Sequence, residues 1–116
     1  MLSRNQRLRD TNDIRDVLRR GVCVTAPSVR LCALPGRGRG AVIVGKKVHK
    51  KAIARHRYQR WLRILLREFL SENGVLLGYD LVWVGRAGLL KYKKLADVRL
   101  EIIEAVTRLM RKLNNF

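Results

Sequence analysis

Acidic residues are missing from the middle of this 116-residue sequence: none lies between Asp16 and Glu68, a span that holds fourteen Lys and Arg residues. The absence excludes the ordinary charged surface, in which acids and bases interleave and offset one another at i, i+4. It also leaves few carboxylates to gather round a metal ion, as metal-dependent phosphodiester chemistry within the chain would require. Asp10, Asp13 and Asp16 are close in sequence, but helix capping accounts for Asp13 and Asp16, and Asp80 stands alone at a strand start. Cysteine is nearly absent too. Cys23 and Cys32 match neither a metal spacing nor a disulfide framework. They flank a predicted hairpin and could lie near each other, but are expected as small buried hydrophobes. His49 and His56 have no third partner that would make a metal site. No apolar run approaches the ~20 residues of a membrane-spanning helix, and MLSRNQRLRD lacks the apolar stretch of a secretory signal. A cytoplasmic protein is the expectation. There are no internal repeats and no domain boundary, so residues 1–116 read as one domain, with 1–10 as a basic N-terminal arm.

What the sequence has in excess is positive charge. The formal net charge is +17 and the sequence pI about 11.4, while 47% of residues are hydrophobic, enough for a core. Self-repulsion of this size opposes folding, and a polyanionic partner offsets it. Nucleic acid is the first candidate; an anionic membrane surface is the second.

Periodicity divides the chain into seven elements. TNDIRDVLRRG predicts a short helix with Thr11 or Asn12 at its N-cap, Asp13 and Asp16 early, Arg19 and Arg20 late and Gly21 just past its end. Ile14, Val17 and Leu18 form its buried stripe. VCVTAPSVRLCAL predicts two strands about the Ala26-Pro27-Ser28 turn. PGRGRG (35–40) reads as a flexible basic loop, and AVIVGKK as a central strand. A long helix follows from about Lys50 to Glu72, stopped by Asn73 and Gly74. YDLVWVGRAG is a fourth strand closing at Gly85. The last helix buries Leu95, Val98, Ile102, Val106, Leu109 and Leu113 on the sheet, with Glu104 and Arg108 paired on its outer face. The order α-β-β-β-α-β-α predicts an α+β fold, a four-stranded sheet packed with three helices.

The long helix carries the function. On a wheel of ~100° per residue, Tyr58, Trp61, Leu62, Leu65 and Phe69 share one face. His56, Arg57, Arg60, Arg63 and Arg67 share the opposite one, with Gln59 at its margin, Ile53 and Ile64 intruding and Arg55 turned towards the apolar side. Like charges one turn apart are mildly destabilising, and phosphate would supply the missing negative charge; the guanidinium fork suits it. Lys46 and Lys47 end the preceding strand. Lys50 and Lys51 open the helix, where its dipole disfavours cations unless an anion binds there. Trp61 and Trp83 read as core. A helix-turn-helix is excluded, since no second helix lies one tight turn upstream. A membrane-surface role would waste the apolar face that the sheet requires.

GKKVHKKAIARHRYQRWLR resembles the signature of the bacterial ribonuclease P protein subunit: a Lys-Lys pair after a strand, then a helix bearing Arg-Asn-Arg and further basic residues. Lys46 and Lys47 match the pair. Arg55 and Arg57 match the motif arginines, and Arg60 and Arg63 the later ones. RLRDTNDIRDVLRRG is similar to the family's first segment at Arg7, Leu8, Val17 and Gly21. DLVWVGRAG is similar to its last strand, with Asp80 and Arg86 in place. His56 stands where Asn is usual, Gln59 where Lys or Arg is usual, and Ile64 where an acid often follows. Ile14, Leu18 and Cys32 occupy positions that are commonly aromatic.

The resemblance implies a ribosomal protein S5 domain 2-like fold with a left-handed βαβ crossover, and binding to the catalytic RNA of ribonuclease P and to precursor tRNA. The RNA, using Mg2+, removes the 5′ leader; the protein supplies no catalytic residue and binds no cofactor, metal or small-molecule substrate. Lys46, Lys47, Lys50, Lys51, Arg55, His56, Arg57, Arg60, Arg63 and Arg67 are the implied RNA-binding set. Arg7, Arg9, Ile14, Leu18, Arg30, Cys32 and Arg86 are the implied contacts to the leader or precursor tRNA. The competing expectation is a structural or ribosomal RNA-binding protein without processing activity.

Overall fold

The structure is a computed structural model that describes residues 7–72 and 78–114. Residues 1–6 of the basic arm and the Asn73-Gly74 helix stop lie outside the described residues. The chain runs α1 (Thr11–Arg20), β1 (Val22–Thr25), β2 (Val29–Pro35), β3 (Gly40–Ile43), α2 (Ala52–Glu72), β4 (Tyr79–Gly85), a 3₁₀ turn (Ala87–Lys91) and α3 (Leu95–Asn114). This is the order expected from the sequence.

The strands lie in the order β1-β2-β4-β3. β1 with β2 and β2 with β4 are antiparallel, while β3 and β4 run parallel with α2 as the crossover between them. β3 is therefore an edge strand, not the central strand its apolar run suggested. An apolar run signals burial on both faces but says nothing about neighbours in the sheet. Part of the free edge is covered by the end of the arm: Arg7 bridges Gly40, and the Leu8 amide donates to the Gly40 carbonyl at 2.9 Å.

Alternation along the strands builds two cores. Val29, Leu31 and Ala33 of β2 and Leu81 and Trp83 of β4 face α2 and α3. Cys32 and Val82 point the other way, where they meet Leu8 and Val17, with Ile14 and Leu18 packed at the margin. Helix α2 buries Tyr58, Trp61, Leu62, Leu65, Leu66, Phe69 and Leu70. Each such side chain contributes about 1.5–3 kcal/mol relative to leaving it in water, which fixes the helix's rotation about its axis. Helix α3 buries the expected stripe from Val98 to Leu113, with Leu95 packed at its edge. Glu68 of α2 pairs with Arg99 of α3, joining the two helices. Arg108 does not turn to Glu104 as expected. It donates to the Thr25 carbonyl at 3.1 Å, and Lys112 to the Cys23 carbonyl at 3.1 Å, so both tie α3 to β1.

Three local expectations change. Asp10, rather than Thr11 or Asn12, caps α1, its Oδ1 accepting from the Asn12 and Asp13 amides. Helix α2 begins at Ala52, because the His49 ring Nδ1 accepts the Lys51 amide at 3.0 Å and keeps Lys50 and Lys51 in the approach to the helix. Cys23 and Cys32 are not free hydrophobes: they form a disulfide. The turn at Ala26–Ser28 sets a register in which the two residues are direct cross-strand partners on the α1 side of the sheet.

Candidate nucleic-acid interface

The rotation imposed by the apolar face of α2 decides which residues meet solvent. His56, Arg57, Arg60, Arg63 and Arg67 are all exposed. Arg39 pairs with Asp13 and Asp80, and Arg99 with Glu68; among the described residues, no arginine of this face takes part in an ion pair. Lys46, Lys47, Lys50 and Lys51 extend the exposed positive surface through the loop that feeds the helix. Arg55 behaves differently. Half-buried, it donates to the carbonyls of His49 and Lys50 at 3.1 and 2.9 Å and so braces that loop. Its guanidinium organises the lysine segment from behind instead of standing beside the other four arginines.

Two depressions meet at this face. One groove of about 600 Å³ runs along α2 between Ile53, His56, Arg57, Arg60, Arg63 and Ile64. A second cleft, of about 350 Å³, lies between the end of the arm, α1 and β3, with Arg7, Arg9, Ile14 and Ile43 in its walls. Arg63 lines both. The wheel alone placed Arg63 on the helix; only the packing of α2 beside β3 brings it to the arm.

The remaining residues implied for the leader or precursor tRNA are divided. Leu18 is half-buried against the small core under α1. Arg30 is half-buried, with its Nη2 3.6 Å from the Cys23 sulfur. Arg86 donates to the Ala26 carbonyl at 2.7 Å, which ties the end of β4 to the β1–β2 turn. Cys32 is fully buried and disulfide-bonded, so it floors the sheet beneath α1 and offers a ligand no surface.

Asp80, alone in the sequence, is the most heavily bonded acid among the described residues. Its carboxylate accepts from the Arg37 and Arg39 amides and from Nε and Nη2 of Arg39. Burial works to raise its pKa. The Arg39 side-chain hydrogen bonds, the two amides and the Arg39 charge outweigh that and hold it below the ordinary carboxylate value. The PGRGRG segment is thus pinned, not flexible. Gly36 is required there, since a Cβ would stand 2.3 Å from the Asp80 carboxyl carbon, and Gly38 takes φ of 77°. The sequence could have signalled this: Asp80 is the one acid between Glu72 and Asp97, across from a loop rich in arginine. Among the described residues, no group of three or more His, Cys, Asp or Glu is placed to hold a metal ion.

The sequence model of the family described as Ribonuclease P matches residues 2–113. The chain belongs to the ribonuclease P protein family. As a ribonuclease P protein it is a component of that ribonucleoprotein enzyme and takes part in tRNA processing. No curated protein matches it by sequence. Solved structures match its fold. The Staphylococcus aureus RNase P protein superposes with a TM-score of 0.72 at 16% identity, covering 88% of this chain and 93% of that one. The Thermotoga maritima RNase P protein does so with a TM-score of 0.69 at 22% identity, covering 88% and 96%. Similarity so low in sequence speaks for the sheet order and the helix placement that this ribonuclease P protein shares with them. The described helices include none long and apolar enough to cross a membrane.

Proposed function

We propose that the protein binds the catalytic RNA of ribonuclease P through the outer face of α2 and its lysine-rich approach, and assists removal of the 5′ leader from precursor tRNA. The observation that carries this reading is the acid-free face itself. Four exposed arginines and a histidine are held side by side by seven buried side chains, with no carboxylate of the described chain to neutralise them. Such a surface gains most from a partner with closely spaced phosphates, because each bound cation releases counterions from the RNA. The cleft beside α1 and β3 supports a contact to the precursor's single strand. Arg7 and Arg9 can meet its phosphates, and Ile14 gives a base an apolar wall where an aromatic ring is usual. The phosphodiester bond is cleaved by the RNA with its own Mg2+, in the cytoplasm, and the protein's part is binding and positioning.

The test is cleavage of precursor tRNA by ribonuclease P RNA from the same source at low Mg2+, with and without the purified chain. Faster 5′ maturation in its presence is the expected result. Unchanged cleavage, with binding no tighter than to ribosomal RNA, would instead mark a structural RNA-binding protein.

A further inference from the structure

Ile53 and Ile64 stand on the cationic face of α2, and among the described residues neither belongs to a hydrophobic core. Ile53 is 80% exposed, the highest value among the exposed large hydrophobic residues. Ile64 is half-buried, yet it packs against neither core. A lone surface isoleucine needs no explanation. These two share one groove with His56, Arg57, Arg60 and Arg63. Ile53, Arg57, Arg60 and Ile64 follow one another at i, i+4, i+7 and i+11, a single line along the helix about 16 Å long. The line has an apolar end, two guanidiniums and a second apolar end.

The chemistry of an occupant follows from that order. The guanidiniums call for phosphates, while the isoleucines call for an uncharged, desolvated face close to those phosphates. Duplex RNA offers its phosphates and 2′-hydroxyls but keeps its base faces stacked inside. Unpaired RNA offers both at once, since its bases splay away from the backbone and lie against side chains. We propose that this groove seats an unpaired stretch of RNA, with bases on Ile53 and Ile64 and phosphates on Arg57 and Arg60 between them. The inference rests on the RNA-binding reading of α2 and adds a selectivity to it: this part of the interface prefers single-stranded to duplex RNA.

The two contributions separate by their salt dependence. Phosphate contacts weaken with salt in proportion to their number; apolar contact with a base does not. The experiment measures binding of the full chain to a short single-stranded RNA and to a duplex of the same sequence, across a range of salt. Ile53→Ala with Ile64→Ala should weaken single-strand binding about tenfold, the scale of losing partial burial of two isoleucines, by the same factor at every salt concentration. Its duplex affinity should match the parent's. Ile53→Ala alone, at a position too exposed to support the fold, should show part of the same loss, and it decides the matter if the double variant melts early. Equal loss on both RNAs, or loss on neither, overturns the proposal. The control is Arg57→Ala with Arg60→Ala, which should flatten the salt dependence on both RNAs. If that slope does not change, the RNA-binding reading of α2 itself has failed, whatever the isoleucine variants do.

Discussion

Replacing Asp80 by asparagine tests how the loop beside the sheet is held. Asparagine keeps an oxygen for the Arg37 and Arg39 amides, but the other oxygen becomes an amide nitrogen facing Arg39 Nη2, which in the parent lies 2.9 Å from Oδ2. A charge-assisted bond is lost and two donors are set against each other. Hydrogen bonds to charged groups contribute roughly 1.5–3 kcal/mol. The Asp80 side chain is 10% exposed, while Arg39 remains 27% exposed and 3.8 Å from Asp13, so water and Asp13 recover part of its interaction. A net loss of about 1–2.5 kcal/mol follows, which for a domain of this size lowers Tm by roughly 4–10 °C. The assay is thermal unfolding followed by circular dichroism from pH 7 to pH 2. Because the folded pKa of Asp80 is depressed, its stabilisation is fully present above the ordinary carboxylate value of 3.8 and disappears as pH falls through the lower folded value. The gap between parent and variant should therefore stay constant down to about pH 4 and close below it. A variant that melts within 2 °C or so of the parent at pH 7, well inside the shift expected, would show that the Asp80 network adds no stability. A gap as large at pH 2 as at pH 7 would show that the carboxylate charge is not its source.

Arg60→Ala with Arg63→Ala should leave the fold intact and reduce the salt slope of RNA binding by about two units, measured by equilibrium binding from low to physiological salt. Leu65→Ala, at a fully buried position of α2, should cost about 2–5 kcal/mol in urea unfolding through the cavity it leaves, and should weaken RNA binding only to the extent that the helix loosens. The disulfide closes a separation of nine residues, and a loop of that size contributes about 2–3 kcal/mol by restricting the unfolded chain. Alkylation followed by mass measurement should label neither cysteine until reductant is added, and reduction should lower Tm.

The predicted elements failed where neighbours decide. AVIVGKK is apolar enough for a central strand, but pairing with β4 on one side alone makes it an edge. Arg108 has Glu104 one turn away, yet the β1 carbonyl lies within its reach and accepts instead. Arg55 belongs to the basic motif by spacing, while the carbonyls of the loop before α2 draw its guanidinium back. The disulfide was nearly legible, since a turn centred on Pro27 and Ser28 makes residues 23 and 32 opposite one another. Whether two facing cysteines pair depends on side-chain approach, which spacing does not give.

The sequence by itself determined the apolar stripe of α2, and with it the side on which Arg57, Arg60, Arg63 and Arg67 emerge, because helical periodicity is a property of the chain alone. It determined the excess of positive charge and the order of elements as well. Tertiary structure decided what those arginines stand beside. It set Arg63 against the cleft of the arm and β3, left Ile53 exposed and Ile64 half-buried beside the arginines of the groove, and used Asp80 to neutralise Arg39. Those relations join residues far apart in sequence, and only packing of the sheet and helices brings them within reach.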